Sequence, residues 1–525
     1  MSVTTDTELL LNRRDPLIRS VVERGVPAGG TSETIAITAP YTGETIAETA
    51  SWTAADVHSA AAVAREAQPA WAARPVEERA KIVGRLQDLA LARQDEVLDL
   101  IQLDTGKARA HAFEEVLDLS ICSRYYANTA KAALARKRHR GAIPLMTTTW
   151  EYHQPLGVIA EMGPWNYPLV LPFTDAIPAL IAGNAVLLKP DHRTPLPCLW
   201  AASLLDEIGV PPEIAPLICG DGAVLGTPII DESDFVMYTG STDVGRIVAR
   251  QAAERLIESS MELGGKNAMI VMDDPPARTI ESGMRAMFSN AGQLCISMER
   301  LFVHESIFDK FTRELAERIS TLRLGTGVTT QADVGSLTFD TQLARVQEHV
   351  QDAVDKGATV LAGGKPRPDI GPYFYEPTLL ADVTPDMTLC ENETFGPVVS
   401  AYPFSTADEA IELANASDYG LNFSVWTKDT RAGLKMAERL EAGTININEG
   451  YAAVWGSYEA PMGGFKASGI GRRHGEHGIT KYTDQQAISI QHLAPLTQPS
   501  DVSQNTYQQL MTTATRLMAK IPGIR

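Results

Sequence analysis

From Ala54 to about Lys131, apolar residues recur at steps of three and four, as in DVHSAAAVAREAQPAWA and ERAKIVGRLQDLALARQDEVLDLI. That is the period of helices with one buried face, and the stretch reads as helical framework. After Trp150 the texture changes. Short apolar runs (GVIAEMGP, NAVLLKP, APLICG, DFVMYTG, MELGGKNAMIVM) alternate with helical segments, the pattern of a parallel sheet covered by helices on both faces. A second series of the same kind runs from near Asn267 to about Gly450. The prediction is α/β, with two doubly wound domains and a seam near Glu262–Lys266. The ends differ. The first 30 or so residues are polar and read as irregular, up to a Pro-Ala-Gly-Gly turn, and residues 33–50 read as short strands around Tyr41-Thr42-Gly43. Near the other end TKYTDQQAISIQHL alternates like a strand, and TYQQLMTTATRLMAK beyond a Pro/Gln/Ser linker reads as a weakly amphipathic helix, docked or mobile.

A chain of 525 residues exceeds one ordinary core. Its 65 acidic and 46 basic side chains give a net charge of −19, which argues against nucleic acid as a partner because phosphate contacts need a basic surface. A local basic pocket for one phosphorylated cofactor stays compatible with it. The cysteines, Cys122, Cys198, Cys219, Cys295 and Cys390, are scattered and form no C-x-x-C pair. Neither a disulfide framework nor a metal site is expected, and reduced thiols fit a cytoplasmic protein. The start, MSVTTDTELLLNRRD, carries no secretory h-region, and no apolar run approaches the roughly 20 residues of a transmembrane span.

Three segments carry candidate chemistry. FSNAGQLCISMER places Cys295 in a turn of small and polar residues. A lone cysteine is usually a small buried hydrophobe; to attack a carbonyl it must reach its thiolate form, which backbone amides at a helix start would favour. In MELGGKNAMIV, Glu262 precedes two glycines at the seam, where a carboxylate suits a mobile general base. In GVIAEMGPWNYPL, the amide of Asn166 can donate to a developing oxyanion, although a Pro-flanked Trp-Asn is more often a simple turn. Two glycine turns compete for a pyrophosphate. CGDGAVLG holds Gly220, Gly222 and Gly226 without the G-x-G-x-x-G spacing, while FVMYTGSTDVGR runs from a strand through Gly240-Ser241 into a helix. The second is preferred.

Pro-Trp-Asn, Lys-Pro, Tyr-Thr-Gly-Ser, Glu-Leu-Gly-Gly-Lys, Gly-Gln-x-Cys and Glu-x-Phe-Gly-Pro occur here in that order. In this the chain resembles the aldehyde dehydrogenase superfamily from about Ala36 to Ile490. Within it the chain looks most like the NADP-dependent succinate-semialdehyde dehydrogenases of the second type, through MGPWNYP, LLKPDHRTP, FSNAGQLCIS, GGKPRPDIGPYFYEPT, NETFGPVVS and EGYAAVWGSYEAPMGG. The resemblance implies that Cys295 attacks the aldehyde, that Asn166 and the Cys295 amide hold the oxyanion, and that Glu262 activates water to hydrolyse a thioester. It also implies a cofactor site at Trp165, Asn166, Lys189, Pro190, Asp191, His192, Gly240, Ser241, Leu263, Glu393 and Phe395. Where NAD-preferring relatives carry a glutamate three places after the lysine, this chain has His192 and then Arg193. That change favours NADP, with NAD possible.

The implied architecture has a dinucleotide-binding domain (1–140 and 156–265), a catalytic domain (266–475), oligomerisation strands (141–155 and 476–495, joining Met146–His153 to Thr480–Gln491) and a tail (496–525). It predicts a homodimer or a dimer of dimers. The match breaks in places. Two positions that hold substrate-binding arginines in relatives are Thr174 and Ser289, a second redox cysteine is Ser297, and a glutamate invoked in proton relay is Arg473. A carboxylate-bearing substrate needs a cation or strong donors, for which Arg124, Arg473 and His474 are the candidates. Tyr167, Trp455 and Tyr458 instead suit an apolar tunnel for another aliphatic or aromatic aldehyde. A CoA-acylating relative and a non-catalytic binding relative are the remaining alternatives.

Overall fold

The computed structural model describes residues 2–30, 33–141, 146–492 and 497–520. The two series of apolar runs form two separate sheets. The first has the order Gly469–Ile470, Glu258–Glu262, Phe235–Thr239, Val158–Met162, Ala185–Lys189. The last four are parallel and the short Gly469–Ile470 is antiparallel at the edge. Every residue of Val158–Met162 and of Ala185–Lys189 is buried, as strands covered on both faces require. The second sheet has seven strands in the order Thr359–Ala362, Thr378–Ala381, Val398–Phe404, Met298–His304, Asn267–Val271, Asn422–Trp426, Thr444–Ile447. All its pairs are parallel except the first.

The chain passes from one sheet to the other over Leu263–Lys266. As a result, the carboxyl ends of the first sheet's strands meet the amino ends of the second's. Trp165-Asn166, Pro190–His192, Gly240-Ser241 and Leu263 each follow a strand of the first sheet, the side on which such sheets bind ligands. Cys295 and Glu393–Phe395 each precede a strand of the second.

Three details differ from the sequence expectation. The polar N-terminal stretch, expected to be irregular, is a helix, Val3–Arg24, capped by Ser2 and burying Leu10, Ile18 and Val21. Its few apolar residues fall on one face, which an average over the segment hides. Lys137–Arg140, inside the expected cofactor segment, is the third strand of an antiparallel sheet with Thr147–Pro155 and Thr483–Gln491. Gly469–Ile470, inside the expected catalytic segment, pairs with Glu258–Glu262. The expected boundaries near 141 and 495 run into 142–145 and 493–496, which lie outside the described residues.

The helical framework is tied to the first sheet by a fully buried ion pair. Lys107 Nζ donates to Glu115 Oε1 at 2.6 Å and to the carbonyl of Asn166 at 2.7 Å. The other oxygen of Glu115 accepts from the amides of Leu169 and Val170 at 2.9 and 3.2 Å. The pair therefore fixes both ends of the turn that carries Asn166. Lys107→Met would strand the Glu115 charge and is expected to cost about 3–5 kcal/mol, much of it recovered in Lys107→Met/Glu115→Leu. Urea unfolding of both variants tests this; an equal loss in the two would count against it.

Candidate active site

Cys295 lies in a turn, as its small and polar neighbours predict, between the short helix Ser289–Gly292 and the strand Met298–His304, and no helix starts there to favour its thiolate. The approach is strained: Asn290 (φ 50°) and Ala291 (φ 53°) are left-handed, and so is Gly292 (φ 71°). A Cβ on Gly292 would stand 2.1 Å from the carbonyl oxygen of Gly396, so only glycine lets this loop close on the Phe395-Gly396 turn. Asn267 Nδ2 donates to the carbonyls of Cys295 and Ser297 at 2.7 and 2.8 Å. The Ser297 hydroxyl is committed to the carbonyl of Met287 at 3.0 Å. The Cys295 side chain is half-buried. Burial, followed by the charges of Glu262 and Glu393, pushes its thiol up to about 12. The free site therefore holds a thiol, and attack on a carbonyl requires a base.

A candidate for that base, Glu262, lines the same cavity as Cys295. It ends its strand and is 5% exposed. Its Oε1 has no hydrogen-bond partner among the described residues. Burial raises its carboxyl to about 7, against the downward pull of Arg473 and Lys481. Asn166 is buried, and its Nδ2 donates to the carbonyl of Gln293 at 3.0 Å, two residues before the nucleophile. One amide proton orients the group and leaves the second free to donate.

The residues expected at a cofactor form a continuous band. Trp165 meets Phe339 and Phe395 edge-on, with centroids 4.9 and 5.4 Å apart. Glu393 Oε1 accepts from the amide of Gly265 at 2.8 Å, and a Cβ on Gly264 would stand 2.6 Å from its Oε2. Burial raises the Glu393 carboxyl to about 8. Phe395 (φ 54°) donates its amide to Glu299, which is paired with Lys266 at 2.5 Å. Gly240 donates its amide to the carbonyl of Glu262 at 3.0 Å, and a Cβ there would strike the Tyr238 ring. Ser241 starts the helix Thr242–Glu254 without a side-chain cap bond, and Leu263 packs where a Cβ on Gly245 would lie. The buried ammonium of Lys189 donates to the carbonyl of its neighbour Pro190 at 3.0 Å. A Cβ on Gly222 would be 3.7 Å from that ammonium, so the other glycine turn also borders Lys189. Asp191 Oδ1 accepts from the Arg193 amide at 3.0 Å. His192 is half-buried and its ring is pushed down by burial, hence neutral. Arg193 is exposed, 4.4 Å over the ring of Phe339.

The cavity beside Cys295 encloses about 740 Å³, open solvent at its mouth included. Tyr167, Trp455, Arg473 and His474 line it as expected, together with Thr174. Three of the candidate substrate groups are changed by the structure. Arg124 is exposed and absent from the lining, because its helix turns Glu114 and Asp118 to the cavity. His474 is buried against Tyr458, ring centroids 4.0 Å apart, and burial pushes its pKa down to about 3, so it is no cation. The guanidinium of Arg473 is engaged by Asp175 and Thr239. Helical periodicity gave no sign of Glu114 and Asp118, which are acidic positions in a stretch read as framework. Arg285 neutralises Glu114 at 2.8 Å, whereas Asp118 takes hydrogen bonds from Tyr458 and Trp455 and burial raises it to about 6. Ser289 bonds Tyr451 at 2.8 Å. Among the described residues no group of three His, Cys, Asp or Glu could hold a metal, and no helix is long and apolar enough to cross a membrane.

Residues 28–488 match the family model described as the aldehyde dehydrogenase family. A protein of Mycolicibacterium smegmatis named "Putative succinate-semialdehyde dehydrogenase (NADP(+))" is 48% identical over 471 residues, covering 90% of this chain and 91% of the relative. A Mycobacterium tuberculosis protein of the same printed activity is 46% identical over 473 residues, with the same coverage of 90% and 91%. A 3-sulfolactaldehyde dehydrogenase of Pseudomonas putida is 35% identical, covering 88% of this chain and 94% of the relative. Among solved structures, betaine aldehyde dehydrogenase of Staphylococcus aureus in complex with NAD+ superimposes with a TM-score of 0.84 at 30% identity, over 90% of this chain and 97% of that one. An aldehyde dehydrogenase of Brucella melitensis gives 0.84 at 32%, over 89% and 96%.

A thiol held near 12 has a simple signature. Alkylation of Cys295 by iodoacetamide in the free protein, followed by peptide mass spectrometry, should rise about tenfold per pH unit from pH 7 to 9. A plateau within that range would show a thiolate already formed.

Proposed function

The chain belongs to the aldehyde dehydrogenase family, and on that premise we propose that it oxidises an aldehyde to the carboxylic acid with NADP, through a thioester on Cys295. The observation that carries this reading is the cavity that Cys295 shares with a buried carboxylate, Glu262, whose Oε1 has no hydrogen-bond partner among the described residues. Glu262 takes the thiol proton as Sγ bonds to the carbonyl carbon. The oxyanion of the thiohemiacetal receives the free N–H of Asn166. NADP, when bound, supplies the acceptor for the hydride that leaves this carbon. Glu262, having released its first proton to solvent, then takes one from water as the water oxygen attacks the thioester; the C–S bond breaks and the acid departs. A carboxyl near 7 is suited to accept a proton in both half-reactions at neutral pH.

The residues present fit a phosphorylated dinucleotide. The uncapped amides at Ser241 and Thr242 suit the pyrophosphate, and a Lys189 ammonium with donors to spare suits the ribose. The exposed guanidinium of Arg193 and the neutral His192 suit a 2′-phosphate. The relatives' printed names support the same choice. They also support succinate semialdehyde as the substrate. A second reading, an aldehyde without an anionic far end, is favoured by the lining itself. Asp118 and Glu114 face the cavity beside Val170, Leu171, Trp455 and Met462, and Arg473, the lining's cation, is already paired. The exposed three-stranded sheet ending at Thr483–Gln491 supports a homodimer or a dimer of dimers. A cytoplasmic location accompanies the reduced thiols.

Cys295→Ala should abolish NADPH formation with every aldehyde. Glu262→Gln should lower steady-state turnover at least 100-fold. The substrate is decided by kcat/KM for succinate semialdehyde against hexanal, each with NADP and NAD. A clear preference for hexanal removes the succinate reading, and equal use of NAD removes the cofactor preference.

A further inference from the structure

Among the described residues, four buried polar atoms on the lining of one cavity have no hydrogen-bond partner. Beside Tyr167 Oη and His474 Nδ1 stand two of opposite kind: Oε1 of Glu262, an acceptor, and Nε of Arg473, whose N–H is a donor. Glu262 and Arg473 are both 5% exposed, and a buried donor or acceptor left without a partner is destabilising. Arg473 cannot move away to find a partner. Its Nη2 donates to Asp175 and to Thr239 Oγ1, the latter at 3.2 Å, and its main chain pairs in both directions with Met462. Asp175 is itself held by Lys481 at 2.8 Å and by the Tyr482 hydroxyl at 3.0 Å. The guanidinium is therefore anchored through Nη2 and unpartnered at Nε, on a residue that lines the same cavity as Cys295 and Glu262.

The geometry points to Arg473 as a member of the hydrolytic half-reaction: its Nε–H donates a hydrogen bond to the oxygen of the attacking water while Glu262 Oε1 accepts that water's proton. This rests on the thioester reading above. In the step, the water oxygen bonds to the acyl carbon, its proton passes to Glu262, and the C–S electron pair returns to Cys295 Sγ. Arg473 exchanges no proton; it orients the oxygen and its charge favours the ionised form of the base. Its role thus differs from gripping a substrate carboxylate. The charged groups around Glu262 are Arg473 and Arg472 from the loop after Gly469–Ile470, Lys481 after the helix Gly475–Thr480, Asp175 on Val170–Ala182, and Cys295 itself. Glu161 on Val158–Met162 is a further carboxylate near Arg473, raised by burial.

The test uses the full chain with Arg473→Gln and Arg473→Lys, stopped-flow NADPH formation, and both succinate semialdehyde and hexanal. In Arg473→Gln the first turnover is expected to persist as a burst while the steady-state rate falls about 10- to 100-fold for both aldehydes. The acid limb of the kcat–pH profile should move up by about one unit, since removing a neighbouring cation raises a carboxyl pKa. Arg473→Lys, which keeps the charge and displaces the donor, should keep the acid limb near that of the parent while turnover still falls about tenfold. An unchanged steady-state rate in either variant overturns the proposal, as does a loss confined to KM for succinate semialdehyde, which would make Arg473 the carboxylate's cation. If Arg473→Gln fails to bind NADP by fluorescence quenching, the turnover of Arg473→Lys decides alone. Absence of NADPH from the parent with every aldehyde would instead sink the dehydrogenase reading.

Discussion

A carboxylate removed from water must be given donors, and that requirement shapes the site. Three buried carboxylates meet it in the same way. Glu115 takes Lys107 and the amides of Leu169 and Val170. Glu299 takes Lys266 and the amides of Thr394 and Phe395. Asp175 takes Arg473, Lys481 and the Tyr482 hydroxyl. In each case at least one donor belongs to or adjoins the loop that carries a site residue: Leu169 and Val170 beyond Asn166, Thr394 and Phe395 beside Glu393, or Arg473 itself. Desolvation of a charge becomes a means of placing loops, because a displaced loop would leave an ion unpaired at a cost of several kcal/mol.

Glu262 is the exception that gives the arrangement its chemistry. It is buried like the anchoring carboxylates, yet one oxygen has no hydrogen-bond partner among the described residues, and burial raises its carboxyl to about 7. Asp175, with a guanidinium and an ammonium on it, falls to about 2. The two carboxylates share one charged neighbourhood and are driven apart by what they touch, which is how one site keeps a permanent anion and a proton-accepting base side by side. Cys295 follows from the same field: burial and the adjacent carboxylates keep it a thiol until a substrate carbonyl is in place.

The fold, and Cys295, Glu262 and Asn166 as candidates, were legible because each of these residues sits at a point where the chain's period changes. Glu262, Asn166, Lys189 and Gly240 all lie at or just beyond the end of an apolar run, where a strand gives way to a turn. Glu114 and Asp118 were not legible. They lie inside a 25-residue helix whose repeat announces only that one face is buried, and periodicity does not say that part of that face borders a cavity instead of a core. Arg124 illustrates the converse: the right helix was chosen, but six residues further along lies a different face. The helix Val3–Arg24 was missed because its buried positions are outnumbered by polar ones.

The lining divides charge between two places. Around Cys295 the apolar Leu294, Ile296 and Val170 share the wall with Glu262 and Arg473. Further along, Glu114 carries its own cation in Arg285, whereas Asp118 carries only hydroxyl and indole donors. An incoming anion would meet the Asp118 charge at close range in a poorly hydrated channel, where Coulomb terms are several-fold larger than in water. The protonation of Asp118, raised to about 6, is therefore coupled to the charge of whatever enters: an anionic guest favours its neutral acid, which can donate a hydrogen bond, and an uncharged guest leaves it ionised.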